Sequence, residues 1–308
     1  MRPGVFRELL RLGGRRAVAA KNPVGADGAA PSTEQGGGLR RWRVRGVAGG
    51  MLVLAGVSLG IALPGALRAA PPQPAHVPGP PPGAPLSADL RFVVGELIAS
   101  DDFTTGLEQW KVELESGGSV TGRSRALEIN VPAGCTVWFL RPLEGPVLIT
   151  YEATVVDTGG PNDRVSDLNC FWMATDARNP ENLLAVPRSG AFADYDELRC
   201  YYVGVGGNGN TTTRFRRYIG ERGHRPLLPQ HDLSAGEFLL APNRAQRIQL
   251  IAAGRSVGFY RDGRRLFSFD DPEPYVRGWF GFRTVHSHLR IRGFKVFRLL
   301  PAGRAGNG

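Results

Sequence analysis

Between Leu90 and Leu300, short runs that alternate apolar with polar residues, or are apolar throughout, recur between turn signals. No stretch there repeats its apolar positions at helical spacing, so the pattern is that of strands. It predicts strands at 91–99, 136–140, 147–156, 168–174, 200–206, 211–219, 247–254, 256–263, 264–270, 278–284 and 289–299. Asp262-Gly263 between two of them signals a type I′ hairpin, because both central positions of that turn need positive φ. Roughly 210 residues of short strands in one unit suit a two-sheet sandwich, and the expected fold class is all-β.

The chain before residue 90 reads differently. Residues 1–45 form a basic leader rich in Gly, Ala and Arg, expected to be disordered, and 46–67 run from Gly46 to Leu67 without a charge. Such a length serves either as a signal-peptide core or as a transmembrane anchor. Arg40, Arg41, Arg43 and Arg45 ahead of it would hold the N-terminus in the cytoplasm. The rest is then exported, either secreted or anchored to the outer face of the cytoplasmic membrane, with membrane contact through 46–67 only. Within the linker 68–89, eight of the fifteen residues from Pro71 to Pro85 are proline, a polyproline stalk of about 45 Å at roughly 3.1 Å per residue. The sandwich is expected over 90–300, and 301–308 as a disordered tail.

Charge narrows the function classes by its location. Of the 38 Lys and Arg and 28 Asp and Glu, eleven and three fall in residues 1–70, leaving 27 against 25 for the remainder. The excess belongs to the leader, and a nearly neutral domain does not track a phosphate backbone, so no nucleic-acid partner is expected. Cys135, Cys170 and Cys200 sit in apolar strand contexts and read as small buried hydrophobes.

DDFTTGLEQWKVE (101–113) resembles the opening of concanavalin A-like and laminin G-like domains. DRVSDLNCFWMA (163–174), RSGAFADY (188–195), YYVGVGGNGNTTTRFRRY (201–218) and GWFGFRT (278–284) resemble the bacterial family catalogued as domain of unknown function 6250. The resemblance implies a secreted concanavalin A-like jelly roll in a glycan context, and it brings no assigned catalytic residues.

The candidate chemistry lies in TTTRFRRYI (211–219). Strand alternation puts Thr211, Thr213, Phe215, Arg217 and Ile219 on one side and Thr212, Arg214, Arg216 and Tyr218 on the other. The first is the expected core face. The second offers arginines that fork to carboxylates beside aromatic rings that lie under sugars. An acidic polysaccharide containing uronic acid is therefore the expected partner, held by Arg214, Arg216 and Thr212, with Arg188 as a further cationic wall and Trp172 as a platform. Two chemistries suit these residues. In β-elimination, the arginines neutralise the uronate while Tyr202, Tyr218 or His231 exchange protons, which requires a tyrosine pKa lowered by the arginines. In the alternative, a carbohydrate-binding or adhesion module uses the same cleft without chemistry. No cofactor is expected: 159–167 lacks the ligand spacing of an EF-hand, though calcium in another geometry stays open, and His286 and His288 lack a third metal ligand. Asp163 and Arg164 in that loop suit an Asx-turn with a local ion pair.

Overall fold

The computed structural model describes residues 87–303. The leader, the apolar segment 46–67 and the proline-rich stretch lie outside these residues. Among the described residues no helix is long and apolar enough to cross a membrane. The described chain is built from strands: β1 (Phe92–Asp101), β2 (Trp110–Leu114), β3 (Ser119–Arg123), β4 (Ala126–Phe139), β5 (Leu143–Glu144), β6 (Val147–Val155), β7 (Leu168–Asp176), β8 (Leu198–Gly206), β9 (Thr212–Ile219), β10 (Asp232–Leu233), β11 (Gln246–Ala253), β12 (Ser256–Arg261), β13 (Arg264–Asp270) and β14 (Arg277–Pro301).

All pairings are antiparallel, and β14 ties them into one curled sheet that packs against itself as two layers. Its first half pairs with β7 on one side and β4 on the other; its second half pairs with β6 and β1. The first layer thus runs β10-β9-β8-β7-β14-β4-β2, and the second runs β13-β12-β11-β6-β14-β1. The sequence pattern predicts two strands, 278–284 and 289–299, where one is found. A bulge between Val285 and Ser287, with His286 at φ 44°, bends the chain without ending the ladder.

Between the layers the inward residues make one core: Val137, Trp172, Val203, Phe215 and Phe280 from the first layer meet Ile149, Leu250, Phe259 and Phe267 from the second. Alternation dictates this, since each strand presents every second side chain to the same face. Phe282 meets Tyr151 edge-on at 5.0 Å, the tilted geometry that the ring quadrupoles favour. At the β12–β13 hairpin Asp262 and Gly263 have φ of 53° and 80°, as the turn predicted there demands. All three cysteines are free and buried, and burial pushes the Cys135 and Cys170 thiols up to about 12.

The pattern misses β2, β3 and the first part of β4. β3 is a polar SVTGR segment, and β4 carries Pro132 and Gly134, both turn signals. Pro132 is accommodated where the register with β14 shifts between Val131 and Gly134, a place where the ladder needs no amide donor.

Candidate functional site

The outward face of the first layer carries the residues singled out in the sequence. The alternation along β9 holds: Thr213 and Phe215 are buried on the core side, while Thr212, Arg214 and Arg216 are half-buried on the other. Tyr202 stands directly across from Arg216 on β8, and Gly204 across from Arg214. Thr212, Arg214, Arg216, Tyr218 and Tyr202 therefore share one face.

That face is not an open cleft. The segment between β7 and β8 folds back over it and builds a second apolar cluster from Leu183, Tyr195, Trp138, Phe171, Tyr202, Tyr218 and Trp279. Tyr195 stacks on Phe171 at 5.5 Å, and Phe171 on Trp138 at 5.5 Å. Glu113 of β2 anchors this roof: it is buried, and its Oε2 accepts from Trp138 Nε1 at 2.8 Å and from Tyr195 Oη at 2.8 Å. Arg188 closes the network by pairing with Asp176 and, at 3.5 Å, with Glu113.

Several expectations change as a result. Tyr218 is 1% exposed, and burial, with Tyr202 beside it, pushes its phenol well above the ordinary value. Burial likewise pushes Tyr202 up, with Asp167 adding to it and Arg283 and Arg216 opposing. The arginines do not overcome the desolvation, so neither tyrosine has the lowered pKa that proton exchange requires. His231 lies in the inter-layer core, its ring edge-on to Phe215 at 4.8 Å, and burial lowers its pKa. Asp232 does not steer it; that carboxylate accepts from Arg214 Nε at 2.8 Å and Nη2 at 3.2 Å. Trp172 points into the same core, against Tyr201 at 5.5 Å and Phe215 at 5.9 Å. The Arg188 side chain is fully buried in its ion pairs and presents no wall to a ligand. Thr212 turns its hydroxyl to the Gly207 carbonyl at 3.4 Å.

Three groups on this face lack a carboxylate or hydrogen-bond partner among the described residues, and two of them, Arg283 and Asn169, the sequence reading passed over. Arg216 donates to the Arg225 carbonyl, and among the described residues no carboxylate pairs with it. Arg283 of β14 is fully buried, held by Thr136 Oγ1 at 3.2 Å and by the Gly190 carbonyl, and its Nε and Nη2 have no partner. The oxygen of the Asn169 side chain, across from Arg283 on β7, is unpartnered too. Gly204 lies across from Arg214 on one side and Asn169 on the other, and a Cβ there would stand 2.9 Å from Tyr202 Oη and 3.3 Å from Asn169 Oδ1, crowding both side chains. Phe192 forms the rim, with Arg225 over its ring at 4.2 Å and Arg283 at 5.4 Å. Alternation could have found Arg283, because in GWFGFRT it shares parity with Trp279 and opposes the core residues Phe280 and Phe282.

The loop 159–167 forms the expected local turn. Asp163 accepts from Thr158 N at 2.7 Å and Gly160 N at 3.0 Å, bonds that hold its carboxyl below the usual range, and Arg164 pairs with Asp167 at 3.7 Å. His288 does not sit beside His286 as half of a metal pair; its ring bridges Asp163 at 2.8 Å and Glu128 at 2.7 Å. Among the described residues no group of three His, Cys, Asp or Glu side chains is placed to hold a metal.

The profile of the family described as a domain of unknown function (DUF6250) matches residues 129–294, more than half of the chain. The chain belongs to that family. No curated protein matches the sequence. Among solved structures, a protein of unknown function with a galectin-like fold from Bacillus subtilis is similar at a TM-score of 0.55 and 16% identity, covering 68% of this chain and all of that one. This similarity shows a galectin-like, jelly-roll fold. Weaker overlaps include the carbohydrate-binding module CBM66 from Bacillus subtilis, at TM-score 0.43, 11% identity and coverage of 62% and 96%. β-Agarase A from Zobellia galactanivorans overlaps at 0.46, 12% identity and coverage of 72% and 98%.

Proposed function

We propose that this domain binds an acidic polysaccharide without cleaving it, on the outward face of the first layer. The observation that carries the reading is two guanidinium groups on this face, the half-buried Arg216 and the buried Arg283, neither of them matched to a carboxylate among the described residues. An unpaired buried guanidinium costs several kcal/mol, and a bidentate carboxylate is the partner its fork fits best. A uronate carboxylate would take the place of that missing partner directly at the half-buried Arg216, and at the buried Arg283 and Asn169 Oδ1 once the covering segment at Gly190 and Phe192 lifts, with Phe192 then covering the ring's apolar side. The buried phenols of Tyr202 and Tyr218 and the core position of His231 favour binding over elimination.

Titration calorimetry of the purified full chain with polygalacturonate, alginate and a neutral glucan tests this. Binding to one of the uronates is expected, weakened at least about tenfold by Arg216→Ala, since a charge-assisted hydrogen bond contributes roughly 1.5–3 kcal/mol. Absorbance near 235 nm should stay flat. Equal affinity for the neutral glucan, unchanged by the substitution, would refute the acidic-sugar reading; rising absorbance would restore elimination.

A further inference from the structure

The outward face of the second layer presents a different charge arrangement. Cross-strand register places Glu152 of β6 between Arg292 of β14 and Arg247 of β11, and puts Lys295 beside Thr150 one row along. Facing residues on neighbouring strands point the same way, so these side chains stand on one surface, with the two arginines about 10 Å apart at roughly 4.8 Å per strand. Arg247, Arg292, Lys295 and Glu152 are all exposed. They line, with Thr150, a shallow depression of about 310 Å³. Among the described residues none of the three cations has a carboxylate partner, in contrast to Arg91, Arg244 and Arg255, whose exposed guanidiniums are matched to Asp89, Asp262 and Asp270. The glycine at 293, at φ 59° in a β-bulge, swings Arg292 and Lys295 outward around the depression.

We infer that this surface is a second polyanion-binding site, and that its occupant is an anionic polysaccharide. Three cations around one carboxylate attract a chain of negative charge. Glu152 at the centre accepts sugar hydroxyls but repels a polymer as densely charged as nucleic acid. The chain's own residues 71–86 carry no acid and do not complement the patch. The site is separate from the Arg216–Arg283 face and stands whether or not that face binds sugar.

The test compares the full chain with Arg247→Glu/Arg292→Glu/Lys295→Glu and with Arg123→Glu/Arg141→Glu/Arg199→Glu, which changes net charge equally elsewhere. Retention on immobilised heparin and polygalacturonate is measured across a salt gradient, with Arg216→Ala run alongside. The first triple variant should lose about tenfold in affinity, with a shallower salt dependence. The control triple should keep the salt-sensitive retention, and the first triple's loss should be the same size in the Arg216→Ala background, so that the two faces are read separately. Equal losses in both triples, no loss in the first, or tighter binding of duplex DNA than of either polysaccharide at the same salt would each overturn the inference. If the first triple is unfolded by circular dichroism, the single variant Arg292→Glu decides, with a loss of two- to fivefold expected and no loss overturning it.

Discussion

The two outward faces of this sandwich use similar residues to opposite ends. On the first layer a returning segment covers the sheet, and its charged groups are drawn into a buried network: Glu113 with Trp138, Tyr195 and Arg188, and Arg188 with Asp176. On the second layer Arg247, Arg292 and Lys295 stand in solvent with no carboxylate partner among the described residues, and among those residues the segment from Ser87 to Phe92 crosses part of the sheet. Arginine content alone therefore says little about ligand binding. Desolvation and pairing decide whether an arginine holds the fold together or waits for an anion.

The sharpest way to break this comparison is to neutralise one glutamate on each face. Glu113→Gln removes the charge that Arg188 and two buried donors share, and truncating one side of a buried pair typically costs about 3–5 kcal/mol. Urea unfolding should register a loss of that size, whereas Glu152→Gln, exposed and unpaired, should stay within about 0.5 kcal/mol. A loss at Glu113 as small as that at Glu152 would mean that this buried network adds no stability. Tyr195→Phe refines the point: it deletes one 2.8 Å bond to Glu113 while keeping the stack on Phe171, and should cost about 1 kcal/mol.

Acid separates the faces through a different group. On the second layer Asp89 accepts from Arg91 at 2.7 Å and from Tyr260 Oη at 2.8 Å, and the Arg91 bonds hold its carboxyl down from the ordinary 3.8 to about 2. A depressed folded-state pKa gives stability that is complete above the unfolded value and lost as pH falls through the folded one. The crossing segment should therefore loosen between about pH 4 and pH 2, seen as faster hydrogen exchange at Ala88 and Phe92. Asp89→Asn should abolish that pH step; a step unchanged by the substitution would locate the acid-sensitive group elsewhere.

The strands were legible because their faces differ in polarity. β6 to β9 and β11 to β13 alternate or run apolar between clear turns, and Asp262-Gly263 specifies its hairpin chemically. Parity along β9 also placed Arg214, Arg216 and Tyr218 on one face. What parity cannot supply is the cover. Leu183, Phe192 and Tyr195 lie in a connecting segment without strand or helix periodicity, and their docking onto Trp138 and Phe171 depends on contacts far apart in sequence. Once that roof is in place, the phenol of Tyr218 is desolvated and Arg188 is enclosed, so residues chosen for reactivity turn out to be packing. His231 was misplaced for a related reason: it ends a short 3-10 turn just before β10 and packs against Phe215 in the core, while its neighbour Asp232, on β10, pairs with Arg214.

That Arg214–Asp232 pair supports the smallest prediction. Its side chains are 23% and 35% exposed, so water screens the attraction, and a double-mutant cycle should give a coupling below about 1 kcal/mol. Asp232→Asn consequently leaves the fold nearly unchanged while releasing a guanidinium on the same face as Arg216. If that face receives a uronate, the freed Arg214 adds a cation one residue pair along the strand, and affinity for polygalacturonate should rise two- to fivefold, with no rise at the Arg247–Arg292 surface. An unchanged affinity in the Asp232→Asn protein would mean that sugar never approaches β9, and would move the first-layer site wholly onto Arg283 and Asn169.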